Sequence, residues 1–248
     1  MMALVAVAIL SGSLGFARWA APVDAHEART GQPPVHGKTY GEWSAAWWQW
    51  ALAGPEGKNA VKDTTGEFCD DNQPRGPVWF LAGTFGETGV ERRCTIPRHR
   101  ALFYPLINSF WIDCPGTPDA DLSDAEVRDI MATFVGDPAC QLTSTLDGTP
   151  ISSLQIMTVR TQSPKFTTIL PRNNIYSTAG TACPTPVPPG RTGRLISEGY
   201  WVMLPPLSPG EHVLTLHGAG CNAATGDVFF ENGVTYRLKV LGGHHSDD

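Results

Sequence analysis

The chain has 248 residues, 42% of them hydrophobic and 17% charged, with a formal net charge of −6. That apolar content is enough for a buried core and excludes a wholly disordered chain. A nucleic-acid binder needs a basic face to displace phosphate counterions, and this charge balance supplies none, so no nucleic-acid partner is expected.

In chain order, residues 3–16 form an apolar run of the length of a secretion-signal core, too short to span a bilayer. Val23-Asp24-Ala25 then places small residues at the −3 and −1 positions of a cleavage site. Residues 1–25 therefore read as a signal peptide, with His26 as the first residue of a secreted, periplasmic or cell-surface protein that has no membrane span. Residues 26–38 are polar with Pro and Gly, the composition of a flexible arm. Thr39 and Glu42 fit a capping box, and Tyr40, Trp43, Trp47 and Trp50 recur at helical spacing until Gly54-Pro55. A second box, Ser123 and Glu126, opens a helix with the stripe Val127, Ile130, Met131, Phe134 and Val135, closed by Gly136 and Pro138.

The rest reads as strand and turn, as 26 Gly and 21 Pro suggest. Runs at 78–85, 90–96 and 101–111 come first. Segments 140–146 and 149–160 meet across Asp147-Gly148, a strong hairpin signal. Residues 178–194 read as a surface loop pinned by Cys183. A strand at 200–204 turns at Ser208-Pro209-Gly210 into 212–217, and 227–231 pairs with 234–240 across Asn232-Gly233. In the last strand Val234, Tyr236, Leu238 and Val240 alternate with polar residues, the pattern of a half-buried sheet. The expected fold is mainly β: an antiparallel β-sandwich, jelly-roll or immunoglobulin-like, with two short helices, as a single domain over 39–241 and a frayed tail at 242–248.

Six cysteines, Cys69, Cys94, Cys114, Cys140, Cys183 and Cys221, make an even count without a CxxC spacing, which reads as a disulfide framework. Fifteen pairings exist. Local closure favours Cys69–Cys94, Cys114–Cys140 and Cys183–Cys221.

The run YGEWSAAWWQW at 40–50, DTTGEFC at 63–69, GPVWFLAG at 76–83, GYWVML at 199–204 and LSPGEH at 207–212 resemble a group of exported, mostly bacterial proteins without an assigned activity. That resemblance spans most of the chain after residue 25 and implies no mechanism. The C-terminal third is similar, at the level of fold, to immunoglobulin-like modules of cell-surface proteins, and fold does not dictate function.

Candidate sites are few. Trp48 lies off the tryptophan stripe and is the candidate for a contact with a sugar ring or a partner chain. Asp63, Glu67, Asp70 and Asp71 offer oxygen ligands for calcium, though not at EF-hand spacing. A mature terminus at His26 could clamp copper with His99, His212 or His217, like the brace of lytic polysaccharide monooxygenases. His212 and His217, five apart on one strand, point to opposite faces. His244 and His245 beside Asp247 and Asp248 sit on the tail. His99, flanked by Arg98 and Arg100, together with Asn108, Ser109 and Asp113, could form a polar site, and Glu67 with Asp113 a glycosidase pair. There is no Gly-x-Ser-x-Gly elbow, no His-Glu-x-x-His and no phosphate loop. The sequence thus favours a binding or surface protein without a cofactor, whose partner is an extracellular glycan or a cell-surface protein. The competing reading is a secreted carbohydrate-active enzyme, hydrolytic or copper-dependent.

Overall fold

The computed structural model describes residues 34–179 and 182–242. Helix α1 (Tyr40–Ala53) precedes strands β1 (Val78–Phe80), β2 (Val90–Ile96) and β3 (Ala101–Ile112), then helix α2 (Asp124–Met131). Strands β4 (Ala139–Leu146), β5 (Thr149–Pro150), β6 (Thr158–Gln162), β7 (Ile169–Leu170), β8 (Gly190–Arg191), β9 (Leu195–Leu204), β10 (Gly210–Cys221) and β11 (Val228–Val240) follow. They form one sheet in the order β1-β3-β9-β6 and a second in the order β2-β11-β10-β4-β5, with β7 and β8 as a small ribbon. The fold is the expected mainly β sandwich with two helices. Its sheets are antiparallel except at β1–β3 and β2–β11, which pair in parallel. Among the described residues no helix is long and apolar enough to cross a membrane.

Side-chain alternation explains the layers. Leu102, Tyr104 and Val202 of the first sheet meet Leu214, Leu216 and Leu238 of the second, closing the sandwich interior. The opposite face of the first sheet presents Phe103 and Trp201, stacked at 5.0 Å, to Trp43, Trp47 and Trp50 of α1. The tryptophan stripe is therefore core, as its spacing predicts. Both capping boxes form: Thr39 Oγ1 accepts from the Glu42 N–H at 3.2 Å while Glu42 Oε2 accepts from the Thr39 N–H at 2.7 Å, and Ser123 and Glu126 do the same.

The α2 stripe is narrower than its sequence suggests. Val127, Met131 and Val135 pack on Ile107 and Ile196, whereas Ile130 and Phe134 are exposed. For Phe134 the cause is a π-turn over Ala132–Gly136, in which the Asp137 N–H reaches back five residues to the Ala132 carbonyl and shifts the helical phase.

One turn assignment is corrected, and two other turns lead to strands other than those expected. Asn232-Gly233 is not a turn: β11 runs through it, pairing Gly218 with Asn232 and His217 with Gly233. Buried Asn232 spends its side chain on the Leu106 carbonyl (Nδ2, 2.9 Å) and on accepting from the Thr84 N–H (Oδ1, 2.6 Å), and the chain turns instead between Asn222 and Asp227. The Asp147-Gly148 turn forms with φ of 50° and 78°, but its return strand ends at Pro150, which has no N–H to continue the ladder. The chain then crosses to β6 in the other sheet. Likewise Ser208-Pro209-Gly210 joins strands of different sheets.

Cys69–Cys94 bridges as expected, but the other pairs are Cys114–Cys183 and Cys140–Cys221. Sheet neighbourhood overrides sequence proximity. β4 lies beside β10, with Cys140 opposite Ala219, so Cys221 is the cysteine within reach of Cys140.

Arg92 is 1% exposed and has no carboxylate partner among the described residues. Its Nε donates to the Asp63 carbonyl at 2.7 Å and its Nη2 to the Val61 carbonyl at 3.0 Å. Nη1 donates to the Ala82 and Gly83 carbonyls and to Tyr236 Oη at 2.9–3.0 Å. Arg92→Met would strand the Asp63, Val61 and Gly83 carbonyls at about 1 kcal/mol or more each, while the Ala82 carbonyl keeps the Tyr236 hydroxyl at 2.8 Å. Urea unfolding should show a loss of at least ~3 kcal/mol, of which Arg92→Lys recovers only part because an ammonium cannot reach all five acceptors.

Candidate functional site

β1 covers only the first part of β3. The two pair from Ala101 to Phe103, and the last backbone bond between the two segments runs from the Leu81 N–H to the Phe103 carbonyl. The chain then peels away: Ala82 and Gly83 give their carbonyls to Arg92, and Thr84 gives its N–H to Asn232. Gly83 permits this approach, since a Cβ there would stand 2.9 Å from the Asn232 amide. Past the departure point a cavity of about 700 Å³ opens beside the second half of β3.

All six residues from Ile107 to Ile112 border it. Successive strand residues point to opposite faces, so only the edge of the strand can present both sets to one space. On the α1 face a run of rings leads outward from the core. Trp47 meets Trp48 at 5.0 Å, Trp48 meets Phe110 at 4.5 Å, Phe110 meets Tyr176 at 5.6 Å, and Tyr176 meets Phe85 at 6.4 Å. On the α2 face stand Trp111, Phe134 and Val135, with Phe229 and Phe230 from β11. Phe85, Phe134 and Phe229 are 41%, 64% and 59% exposed, so the rim is aromatic as well. The Cys114–Cys183 bridge closes the far end.

The walls are nearly neutral. Asp119 is the one carboxylate among the lining residues, and its Oδ2 accepts the Cys114 N–H at 3.2 Å. Burial pushes the Tyr176 phenol well above its ordinary range, keeping it uncharged. Trp48 Nε1 and Asn108 Nδ2 are shielded and have no hydrogen-bond partner among the described residues.

The sequence-derived candidates divide accordingly. Trp48 is not a surface contact: it is 3% exposed and serves as a wall of the cavity, because α1 turns that side toward Phe110. Asn108 borders the same space. Asp113 is engaged elsewhere, accepting from the Arg194 guanidinium at 2.9 Å, while Arg194 also holds the Leu122 carbonyl and Asp124 at the start of α2. Asp63 is spent on its own loop. Burial raises its pKa, but the N–H groups of Phe68 and Thr65 and the Thr65 hydroxyl outweigh that and hold the carboxyl below its usual range. Glu67 and Asp70 stay exposed on that loop, and no contact joins Glu67 to Asp113. His99 is exposed in a left-handed turn, φ 65°. No three His, Cys, Asp or Glu side chains converge as metal ligands among the described residues. His26, His244 and His245 lie outside those residues.

One constellation escaped the sequence reading. His212 Nδ1 lies 2.7 Å from Asp147 Oδ2, and its Nε2 lies 3.3 Å from Ser208 Oγ, the composition of a catalytic triad. The nearer neighbour of Nε2, however, is the Ser208 carbonyl at 3.0 Å, which can only accept. Nε2 therefore carries a proton and has no lone pair for the hydroxyl. The ring is an imidazolium clamp between two loops, and the Asp147-Gly148 turn that supplies its carboxylate is the only signal the sequence gave. His217, on the opposite face, is held in the same way by Glu231 at 2.7 Å and the Gln141 carbonyl at 2.9 Å.

The chain matches no protein-family model, and comparison with curated proteins and with solved structures gave no significant match.

Partial burial lowers the pKa of both histidines, but the carboxylate and carbonyl partners outweigh it and raise them above the ordinary value. A raised folded-state pKa gives stability that is complete below about pH 6.5 and lost as pH climbs through the folded value. Asp147 is held low by His212 and the Val213 N–H, so its share is lost as pH falls below about 4. The unfolding free energy from urea titration should therefore peak between these limits and fall toward pH 9 by about 1 kcal/mol at most, given the exposure of the carboxylates. The double variant His212→Asn, His217→Asn should flatten the alkaline side.

Proposed function

We propose that this is an extracytoplasmic binding protein that takes an apolar ligand into the aromatic cavity beside β3. One observation carries the reading: a cavity of about 700 Å³, walled on both sides by aromatic rings and rimmed by three exposed phenylalanines. Specific ligand sites have volumes of about 300–1,000 Å³ and mostly apolar walls. Exposed rings gathered at one opening mark a contact surface rather than ordinary surface scatter. Three disulfides suit an oxidising compartment, in keeping with residues 1–25 as a secretion signal.

The chemistry of the walls narrows the ligand class. A glycan offers hydroxyls at every ring position and asks for a matching set of donors and acceptors. Here Thr84, Asn108, Ser109, Thr117 and Asp119 are scattered among many more aromatic and aliphatic groups. Hydrolysis by paired carboxylates finds no pair on these walls. Binding of an apolar molecule uses what is present.

An anilinonaphthalene dye tests the assignment. It should bind saturably at one site, and Phe134→Ala or Phe229→Ala should each weaken it about 5- to 20-fold, the effect of removing an aromatic anchor. Because both rings are more than half exposed, their removal should move Tm little. Leu154→Ala, at an exposed leucine that does not line the cavity, should leave dye binding unchanged. Equal binding by all variants, or displacement of the dye by soluble oligosaccharides but not by apolar compounds, would overturn the reading.

A further inference from the structure

The backbone of β3 narrows the ligand class further, on the basis of the cavity reading above. In an antiparallel pair, two facing residues either exchange both backbone bonds or turn both sets of groups outward. Leu195 turns outward, since its N–H and carbonyl pair with Phe166 at 2.8 and 3.0 Å on the far side of β9. Ser197 does the same, its carbonyl accepting from the Ser163 N–H at 2.9 Å. Their partners across β9 are Ile112 and Phe110, and Asn108 follows at the same two-residue step opposite Gly199. The N–H and carbonyl groups of Asn108, Phe110 and Ile112 therefore face the cavity, and none pairs with another backbone group among the described residues.

The ends of this row are already satisfied by side chains. The Leu106 carbonyl takes Asn232 Nδ2, and the Cys114 N–H goes to Asp119 Oδ2. Between these caps lie three donors and three acceptors spaced two residues apart. Orphan backbone groups in an apolar setting cost free energy, and a second extended main chain satisfies them as a set.

We infer that the cavity binds an extended polypeptide segment that adds a strand to the free edge of β3. The walls specify its side chains. One alternating set would meet Trp48, Phe110 and Tyr176, and the other Phe134 and Phe229. Both faces are apolar, so the segment carries apolar residues at successive positions rather than at every second one. The exposed rings flanking the edge admit a single strand and obstruct the flat approach of a second sheet, which argues against a second copy joining edge to edge.

The experiment uses the folded chain and a set of end-capped hexapeptides built from Val, Ile, Phe and Tyr, with lysines outside the hexamer for solubility. Each peptide is made also in two versions N-methylated at alternate nitrogens, which keep the side chains and remove half of the main-chain donors. The best peptides should displace the dye and slow hydrogen exchange at the amides of Asn108, Phe110 and Ile112 at least tenfold. The amides of Ile107, Ser109 and Trp111, already paired to β9, should not change. One N-methylated version should lose at least tenfold in affinity and the other little, because only alternate nitrogens face β3. No displacement by any peptide, displacement without protection of the three amides, or equal affinity of both N-methylated versions with the parent would overturn the inference. Failure with the peptides while the dye still binds would leave the cavity reading standing. If the dye does not bind either, both fall.

Discussion

A guanidinium sealed from water with no anion beside it is costly unless its nitrogens find acceptors, and all three nitrogens of Arg92 donate to carbonyls or a phenol. Those acceptors belong to the 61–63 loop, the segment leaving β1, and β11. The cation is tolerated because these dipoles converge on it, and they are held in place because it is there. The ring of Tyr236, 5.7 Å from the guanidinium carbon, adds a further favourable contact. Few other arrangements would bring five acceptors to one guanidinium, so this side chain fixes where three separate stretches of chain must lie.

The cavity follows from that constraint. A strand that continued beside β3 would give its backbone groups to β3. Here Ala82 and Gly83 direct their carbonyls to Arg92 instead, and Thr84 turns to Asn232, which also seals the Leu106 carbonyl. Two buried polar side chains thus end the pairing at a defined residue. On the far face, the π-turn after α2 swings Phe134 outward to become part of the opposite rim, with Gly136 packed against Arg160 and Glu198 where no side chain would fit. The site is made from interruptions: a strand that leaves early and a helix that is underwound at its end.

What could be read from the sequence was local. The capping boxes, the tryptophan stripe and the alternation from Val234 to Val240 depend on neighbours within a few residues, and each appears as the spacing demanded. Asn232-Gly233 misled because the groups that keep it straight, Leu106 and Thr84, are over a hundred residues away. Phe134 misled because a helical period was extended across a π-turn. Trp48 and Asn108 stand out in the sequence, but nothing linear shows that they share a cavity. The edge of β3 was invisible for a related reason. An unpaired edge is defined by what is missing beside it, and the 78–85 run gave no sign that only its first half would pair.

The cysteine topology has a consequence for biogenesis. The bridge Cys69–Cys94 spans 25 residues, whereas Cys114–Cys183 and Cys140–Cys221 span 69 and 81. In a nascent or collapsed chain, Cys114 encounters Cys140 sooner than it encounters Cys183, since shorter loops close more readily. Maturation therefore competes with a kinetically favoured wrong crosslink, and escape from it requires thiolate attack and reshuffling. Correct oxidation becomes a record that β4 has already found β10, so disulfide isomerisation, rather than oxidising power alone, sets the yield of correctly bridged protein.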